Sequence, residues 1–310
     1  MTISPSFGLI LFRRRKEMLP YIHLFGIDIP MYSVLAASGA AAISVFCVLQ
    51  CRFPRKMPPM IKTYDIFYML LYAFIGAIVG AKLLYLLTSV EVYWLPQLSF
   101  WDNMRYWLLL ISGGGLVFYG GLIGALLGAL RYVLHFHAPV SAMLDLAFAG
   151  VPLFHAFGRV GCFLAGCCYG TEYHGILAVT FPESNLGKAP AGVELLPVQL
   201  IEALLNIVLW GILLTVYRKT SRRWLTSGLY LTCYGVMRFI LEFFRGDIIR
   251  GSIFSLSTSQ FISIFIVAAG VLLLTDPKWL DRFGGKNDER YLEELERLKE
   301  LRTERTKVKQ

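Results

Sequence analysis

Apolar runs of about 20 residues recur along the chain, separated by short polar segments that hold most of the basic residues. An α-helix needs a run of that length to cross roughly 30 Å of hydrocarbon. Hydropathy read over a window of about 19 residues predicts seven helices, near 29–50, 65–89, 113–134, 141–163, 198–217, 227–244 and 258–275. The expected fold is therefore an all-α integral membrane protein, a seven-transmembrane-helix bundle. Residues 159–197 are rich in Gly, Pro and polar residues and too long for a tight connector, so a small extracytoplasmic loop or head is expected over about 164–197. Residues 287–310 place Leu292, Leu295, Leu298 and Leu301 amid dense mixed charge, the pattern of an amphipathic helix. The expected organisation is an N-terminal segment over 1–28, a helical domain over 29–275 and a charged cytoplasmic tail over 276–310. No internal repeat points to an inverted-repeat transporter.

Loop charge orients the bundle. Arg52, Arg55, Lys56 and Lys62 lie in one loop, Arg218, Lys219, Arg222 and Arg223 in another, and Lys278, Arg282, Lys286 and Arg290 begin the tail. With seven spans all three sets fall on one face, and positive charge marks that face as cytoplasmic. The N-terminus is then expected outside and the C-terminus in the cytoplasm, with Arg13, Arg14, Arg15 and Lys16 running against the rule. Composition agrees with a lipid environment: 56% of the 310 residues are hydrophobic and only 16% charged, against roughly a quarter in soluble domains. The net charge of +9 sits mostly in short loops, which excludes a basic nucleic-acid-binding face. No cleavable signal peptide is expected, because no clean apolar core with a small-residue cleavage site follows the early basic cluster.

Ionisable groups inside spans cost several kcal/mol unless they face a partner or a wet cavity. In the sixth helix Tyr234, Arg238 and Glu242 follow at i, i+4 and i+8, with Arg245 three further on, all on one face. The fifth helix starts after Pro197 and carries Gln199, Glu202 and Asn206 at spacings of three and four. The fourth places His155 and Arg159 a turn apart, before Cys162, Cys167, Cys168 and Gly170, where the chain emerges. Three helices thus bring polar groups to one depth, and a shared cavity explains this better than three separate staples. The third helix opens with Gly113, Gly114 and Gly115. Glycines there leave backbone N–H groups open to an anion, while Gly120, Gly124 and Gly128 form a small-residue ridge that permits close helix contact.

These motifs coincide with a family. Gly-Gly-Leu-Val-Phe-Tyr-Gly-Gly-Leu-Ile-Gly at 114–124, Gly-Arg-Val-Gly-Cys-Phe-Leu-Ala-Gly-Cys-Cys-Tyr-Gly at 158–170, Leu-Pro-Val-Gln-Leu-Ile-Glu at 196–202, Tyr-Gly-Val-Met-Arg-Phe-Ile-Leu-Glu-Phe-Phe-Arg at 234–245 and Leu-Ser-Thr-Ser-Gln at 256–260 occur in order. Each resembles a block of prolipoprotein diacylglyceryl transferase. The resemblance implies a multi-pass enzyme of the bacterial plasma (inner) membrane. Such an enzyme moves the diacylglyceryl group of phosphatidylglycerol onto the thiol of a lipobox cysteine in a lipoprotein precursor and releases glycerol phosphate. By position Arg159 matches the arginine of the family's Gly-Arg-x-Gly signature, Arg238 and Glu242 match its sixth-helix pair, and Gln199 and Glu202 its fifth-helix pair. Tyr32 matches a tyrosine near the start of the first helix. The chain departs from the pattern at Tyr119, Cys162 and Cys167, where family members usually carry His, Asn and Glu.

The reaction brings a phosphodiester charge into a low-dielectric cleft, and the departing monoester gains more, so preorganised cations stabilise the transition state above the ground state. Arg159 and Arg238 suit that role, since a guanidinium grips phosphate with two donors. The catalytic candidates are Arg159, Arg238, Glu242, Tyr119, Cys162 and Cys167. Candidates for binding substrate are Tyr32, Gly114, Gly120, Gly121, Gly170, Gln199, Glu202, Tyr234 and Arg245. Tyr119 is expected in a supporting, hydrogen-bonding role. The cysteines admit a catalytic thiolate, a disulfide or a structural role. A metal site supplemented by His155 and His174 matches no standard zinc spacing, so neither a metal nor another cofactor is expected. Alternatives to the leading function are a related lipid-group transferase that uses its own cysteines with a different donor or acceptor, and a non-enzymatic lipid-binding or transport protein.

Overall fold

A computed structural model describes residues 21–24, 27–52, 61–93, 99–113, 115, 117–183, 187, 189–220, 222–247, 252–253, 256–275 and 280–307. The early basic cluster, Gly114 and Lys278 lie outside the described residues. A hairpin of β1 (Tyr21–Leu24) and β2 (Ile27–Pro30) leads into α1 (Met31–Arg52). There follow α2 (Thr63–Tyr93), α3 (Phe100–Gly113), α4 (Phe118–His135) and α5 (Val140–Ala165). A small head carries β3 (Val179–Thr180), paired antiparallel with β4 (Glu194–Leu195). Then come α6 (Val198–Lys219), α7 (Leu225–Leu241) with a 3-10 turn at Glu242–Phe244, the strands β5 (Ser252–Ile253) and β6 (Leu256–Ser257), α8 (Thr258–Leu274) and α9 (Asp281–Lys307). The chain is an integral membrane all-α protein: α1, α2, α5 and α6 are long and apolar enough to cross a bilayer, and α8 is a shorter apolar helix. Phe67, Phe74, Leu83 and Leu87 on α2 and Leu204, Val208 and Ile212 on α6 stand exposed. Such faces are stable against lipid tails rather than water.

The helices depart from the hydropathy expectation in several places. The helix expected over 113–134 begins at Phe118, and the residues before it form the separate α3. Its 14 residues reach only about 21 Å, and Asp102, Asn103 and Arg105 keep it below a span-length hydropathy window. Its start is nevertheless a sequence signal: Ser99 Oγ accepts from the Asp102 N–H at 3.2 Å and donates to the Asp102 carboxylate at 2.7 Å, a capping pattern. The helix expected over 227–244 ends at Leu241, so Glu242 begins the 3-10 turn. The helix expected to stop near 163 continues to Ala165.

Two compact units divide the chain: Met1–Phe46 with Asp145–Asp276, and Cys47–Leu144 with Pro277–Gln310. In the first, Leu209, Leu213 and Tyr230 form a buried cluster against Phe148, Val151 and Tyr234. Asp145 lies 14 residues before Arg159, about 21 Å along the helix. There its carboxylate accepts from the Ser227 N–H at 2.8 Å and hydroxyl at 2.6 Å, capping the first turn of α7. A capping box starts α8: Ser257 Oγ accepts from the Gln260 N–H while Gln260 Oε1 accepts from the Ser257 N–H.

In the second unit α2 and α4 meet through glycines. A Cβ on Gly124 or Gly76 would collide with the carbonyl of the other, and Gly120 and Gly80 stand in the same relation. Backbones that close leave no room for a side chain. Gly120, expected to contact substrate, is thus occupied by helix packing, whereas a Cβ on Gly121 would sit at an ordinary 3.4 Å from Ala81. Tyr119 stands half-buried in the first turn of α4. On α9 the buried Asp288 accepts from the Ser141 N–H at 3.2 and 3.3 Å, at the first turn of α5, and Tyr291 and Leu295 are buried beside it. Its carboxylate meets the positive end of that helix.

Candidate active site

The site grows from the way α5 ends. Gly166 takes φ +70, its N–H donates to the Phe163 carbonyl at 3.1 Å, and the Cys167 N–H donates to the Cys162 carbonyl at 3.0 Å. This pair of bonds is a Schellman turn, which needs a left-handed residue after the last helical one, a conformation glycine adopts without cost. The turn folds Cys167 back over Cys162. Cys168 follows at φ +61, unusual for a residue with a side chain. The Sγ atoms of Cys162, Cys167 and Cys168 all lie within 4.8 Å of one another, and all three are thiols rather than disulfides.

Neighbouring elements clamp this loop from two sides. The Gly170 N–H donates to the Leu196 carbonyl at 3.2 Å, the Thr171 N–H to Phe244 at 2.9 Å and the Gly246 N–H to Tyr169 at 3.0 Å. The loop is thereby stitched to the entrance of α6 and the exit of α7. Gly170, expected to bind substrate, is buried, and a Cβ there would collide with the Leu196 carbonyl. Close backbone packing accounts for it. Gln199 Nε2 donates to the Cys167 carbonyl at 2.8 Å, which ties α6 to the cysteine loop.

Charged groups surround the loop. Arg159 Nε pairs with Glu202 Oε1 at 2.9 Å, the carboxylate being 1% exposed. Arg238 Nη2 is ion-paired with Glu242 Oε2 at 2.7 Å and donates to Ser259 Oγ at 3.0 Å. Arg245 grips Asp247 with two donors, Nε at 2.8 Å and Nη2 at 2.6 Å, and its Nε lies 4.0 Å from Glu242. Tyr234 lies within electrostatic reach of both Arg159 and Arg238, and Cys168 within reach of both Arg245 and Arg159. Arg159, Tyr234, Arg238, Glu242, Arg245 and Cys168 thus form one electrostatically linked group. Tyr32 packs on Gly161 and is in electrostatic reach of Cys162, Cys167 and Arg159, with its own ring 44% exposed. Tyr230 stacks on Tyr234, and its hydroxyl sits 3.0 Å from His155 Nδ1.

Two chemical properties follow. First, Arg238 Nη1 has no hydrogen-bond partner among the described residues, although the side chain is buried. A buried donor without a partner costs about 1–3 kcal/mol, so it marks a place where a ligand acceptor belongs. Second, the thiols shift one another in opposite directions. Hydrogen bonds from Cys162 and Cys167, and then the Arg245 and Arg159 guanidinium groups, push the Cys168 thiol below the usual thiol range, while hydrogen bonding to Cys162 and Cys168, together with burial, pushes Cys167 up.

The structure brings together Tyr32, Arg159, Cys162, Cys167, Gln199, Glu202, Tyr234, Arg238, Glu242 and Arg245 in the first unit. Gln199 and Glu202, expected to contact substrate, are each 1% exposed and hold protein groups instead. Tyr119, Gly120 and Gly121 belong to the second unit, and Gly114 lies outside the described residues. His155 and His174, considered as companions of the thiols, engage Tyr230 and Glu194. Sequence reasoning missed Ser259 and Asp247 as partners of the arginines. Only the Leu-Ser-Thr-Ser-Gln block hinted at Ser259, and nothing hinted at Asp247.

Comparison with known proteins shows what the chain is similar to. Residues 20–275 match the family model of prolipoprotein diacylglyceryl transferase. Phosphatidylglycerol–prolipoprotein diacylglyceryl transferase 2 of Clostridium perfringens (strain 13 / Type A) is 36% identical over 251 residues, covering 81% of this chain and 91% of the relative. The phosphatidylglycerol–prolipoprotein diacylglyceryl transferase of Clostridium tetani is 35% identical over 260 residues, covering 84% and 96%. That of Idiomarina loihiensis is 31% identical over 260 residues, covering 83% and 91%. A match that spans every element of the site, with relatives aligned over nearly their whole length, establishes that this chain belongs to the prolipoprotein diacylglyceryl transferase family.

Proposed function

We propose that this chain transfers the diacylglyceryl group of phosphatidylglycerol to the thiol of a prolipoprotein cysteine and releases glycerol phosphate. The observation that carries the reading is the buried Arg238, whose Nη2 is fixed by Glu242 and Ser259 while Nη1 has no partner among the described residues. Such a group is a preorganised donor for a phosphate oxygen. Arg159, held by Glu202, supplies a second fixed guanidinium.

In the reaction the acceptor sulfur, as thiolate, attacks the glyceryl carbon that bears the phosphate. A C–S bond forms as the C–O bond breaks, and its electron pair moves onto the phosphate oxygen. The phosphate passes from a singly charged diester toward a doubly charged monoester. Fixed cations in a low-dielectric site stabilise that gain more than they stabilise bound substrate. Glu242, Ser259 and Glu202 act as positioning residues that hold the guanidinium planes. Tyr32 and Tyr234 line the same region and offer hydroxyl donors to ester or phosphate oxygens.

The same reading extends to topology. The spans are α1, α2, α4, α5, α6, α7 and α8, within a transferase domain over 29–275 whose head is 164–197. The N-terminus faces outward and the α9 tail lies in the cytoplasm of a bacterial plasma membrane. Basic residues at Arg218, Lys219, Arg222 and Arg223 support this orientation. Tyr119 takes a supporting hydrogen-bonding role, and Cys162 and Cys167 act within the reaction region.

The test is product analysis. Purified protein is incubated with labelled phosphatidylglycerol and a lipobox peptide, and the products are read by mass spectrometry. The expected products are a diacylglyceryl thioether on the peptide cysteine and soluble glycerol phosphate. Lipid left chemically unchanged would instead indicate binding or transport.

A further inference from the structure

The arginines account for the phosphate, and no step of the transfer yet defines what the three thiols do together. Cys162, Cys167 and Cys168 are spaced in a way that fits no common zinc motif, yet the Schellman turn and the φ +61 conformation of Cys168 bring their sulfurs within 4.8 Å of one another. Zinc–thiolate bonds of about 2.3 Å in a tetrahedron place sulfurs about 3.8 Å apart, so the triangle closes with no more than about 1 Å of side-chain movement. A non-glycine residue is rarely held at positive φ unless its surroundings fix it there. Here that conformation aims a third thiol at the other two.

The surroundings define the class of ligand. His155 and His174 are engaged elsewhere, and the ligating group among the described residues consists of the three cysteines. Three protein ligands with a fourth position open is the arrangement of catalytic rather than structural zinc. Arg159 and Arg245 lie within electrostatic reach of Cys168. They oppose a bare cation, but three thiolates with one divalent ion carry a net single negative charge, which guanidinium neighbours favour. The Gln199 bond to the Cys167 carbonyl, at 2.8 Å, fixes the loop behind the donors.

We propose that Cys162, Cys167 and Cys168 bind a soft divalent cation of the zinc class, and that its open position takes the acceptor thiol as a thiolate. The second half rests on the transferase reading; the first half does not. On loading, the three cysteine thiols release their protons to solvent. The acceptor thiol releases its own on joining the metal. When its sulfur forms the C–S bond, the leaving phosphate takes the electron pair of the broken C–O bond, and the neutral thioether dissociates from the metal.

The test uses the full-length protein in detergent. Elemental analysis should find about one zinc per chain after purification without chelator. Cobalt substitution should give sulfur-to-cobalt charge-transfer absorption. Both signals should be lost in Cys162→Ser, Cys167→Ser and Cys168→Ser variants that keep the wild-type melting profile, and both should survive in Cys233→Ser, which alters the exposed thiol on α7. The metal site is overturned if reduced wild-type protein takes up neither metal, if the cobalt band persists in the triple Ser variant, or if the isolated protein carries a disulfide within the trio and binds no cobalt after reduction. Adding a lipobox peptide should shift the cobalt bands, and its Cys→Ser counterpart should not. Transfer to the peptide by the cobalt enzyme without that shift overturns the acceptor half and leaves the transferase reading standing. A shift without transfer supports the metal site and counts against the transferase reading.

Discussion

Replacing Arg238 with Lys keeps a positive charge in the site and removes its second nitrogen. In the native arrangement Nη2 is committed to Glu242 at 2.7 Å and Ser259 at 3.0 Å, and Nη1 is the donor left for substrate. An ammonium can satisfy Glu242, but it has no further nitrogen held at the Nη1 position. Losing one hydrogen bond to a charged phosphate costs about 1.5–3 kcal/mol, which corresponds to roughly 10- to 160-fold in kcat/KM. Because the phosphate gains charge as it leaves, most of that loss should appear in kcat rather than KM. The assay is the initial rate of glycerol phosphate release from labelled phosphatidylglycerol in detergent micelles, with lipobox peptide in excess. A melting curve taken in parallel should stay close to wild type, since the pair with Glu242 survives. A folded Arg238→Lys enzyme with kcat/KM within about twofold of wild type would refute the reasoning and remove the guanidinium fork from the site. Arg238→Ala is the poorer probe: it leaves the buried Glu242 without its closest cation, a loss worth about 3–5 kcal/mol of stability, and confuses folding with chemistry.

Glu202→Gln removes the partner of Arg159 while keeping the side-chain volume, so unfolding should become easier by about 3–5 kcal/mol; a denaturant midpoint equal to wild type would contradict the buried pairing. Gly124→Ala should lower the melting temperature and yield far more than Gly121→Ala, because the new methyl meets the Gly76 carbonyl in one case and ordinary contact in the other. Similar behaviour of the two variants would dismiss the close approach of α2 and α4. Deleting residues 281–310 removes the Asp288 bond to Ser141 and should reduce thermal stability while leaving the transfer rate per folded molecule near wild type; complete loss of transfer would give the tail a part in the chemistry.

Periodicity made some of this legible and could not reach the rest. The single face shared by Tyr234, Arg238 and Glu242 follows from the helical repeat, and the Arg238–Glu242 pair is local in sequence. The Arg159–Glu202 pair spans two helices, and spacing alone says which face each residue occupies but not which face it meets. The role of Ser259, only hinted at by its sequence block, is out of reach for the same reason, since its contact with Arg238 depends on how α8 lies against α7. At α3 the hydropathy window failed, because a 14-residue helix with Asp102 and Arg105 never reaches span-like values; its Ser99 cap was the readable signal. Gly166 was a legible helix-stop signal that the hydropathy window, ending its helix near 163, did not use. The left-handed turn at Cys168 was not legible, because nothing about a cysteine predicts positive φ. Asp145 and Asp288 both serve the N-terminal turn of a helix remote in sequence, which no local pattern reveals.

The claim on which the rest depends is that Arg159 and Arg238 face one lipid phosphate. Determining the structure of the protein with phosphatidylglycerol bound tests this most directly. The account predicts a phosphate oxygen about 3 Å from Arg238 Nη1, with the Arg159 guanidinium turned to the same phosphate. A phosphate lodged away from both groups, or two arginines serving two different lipids, would contradict it.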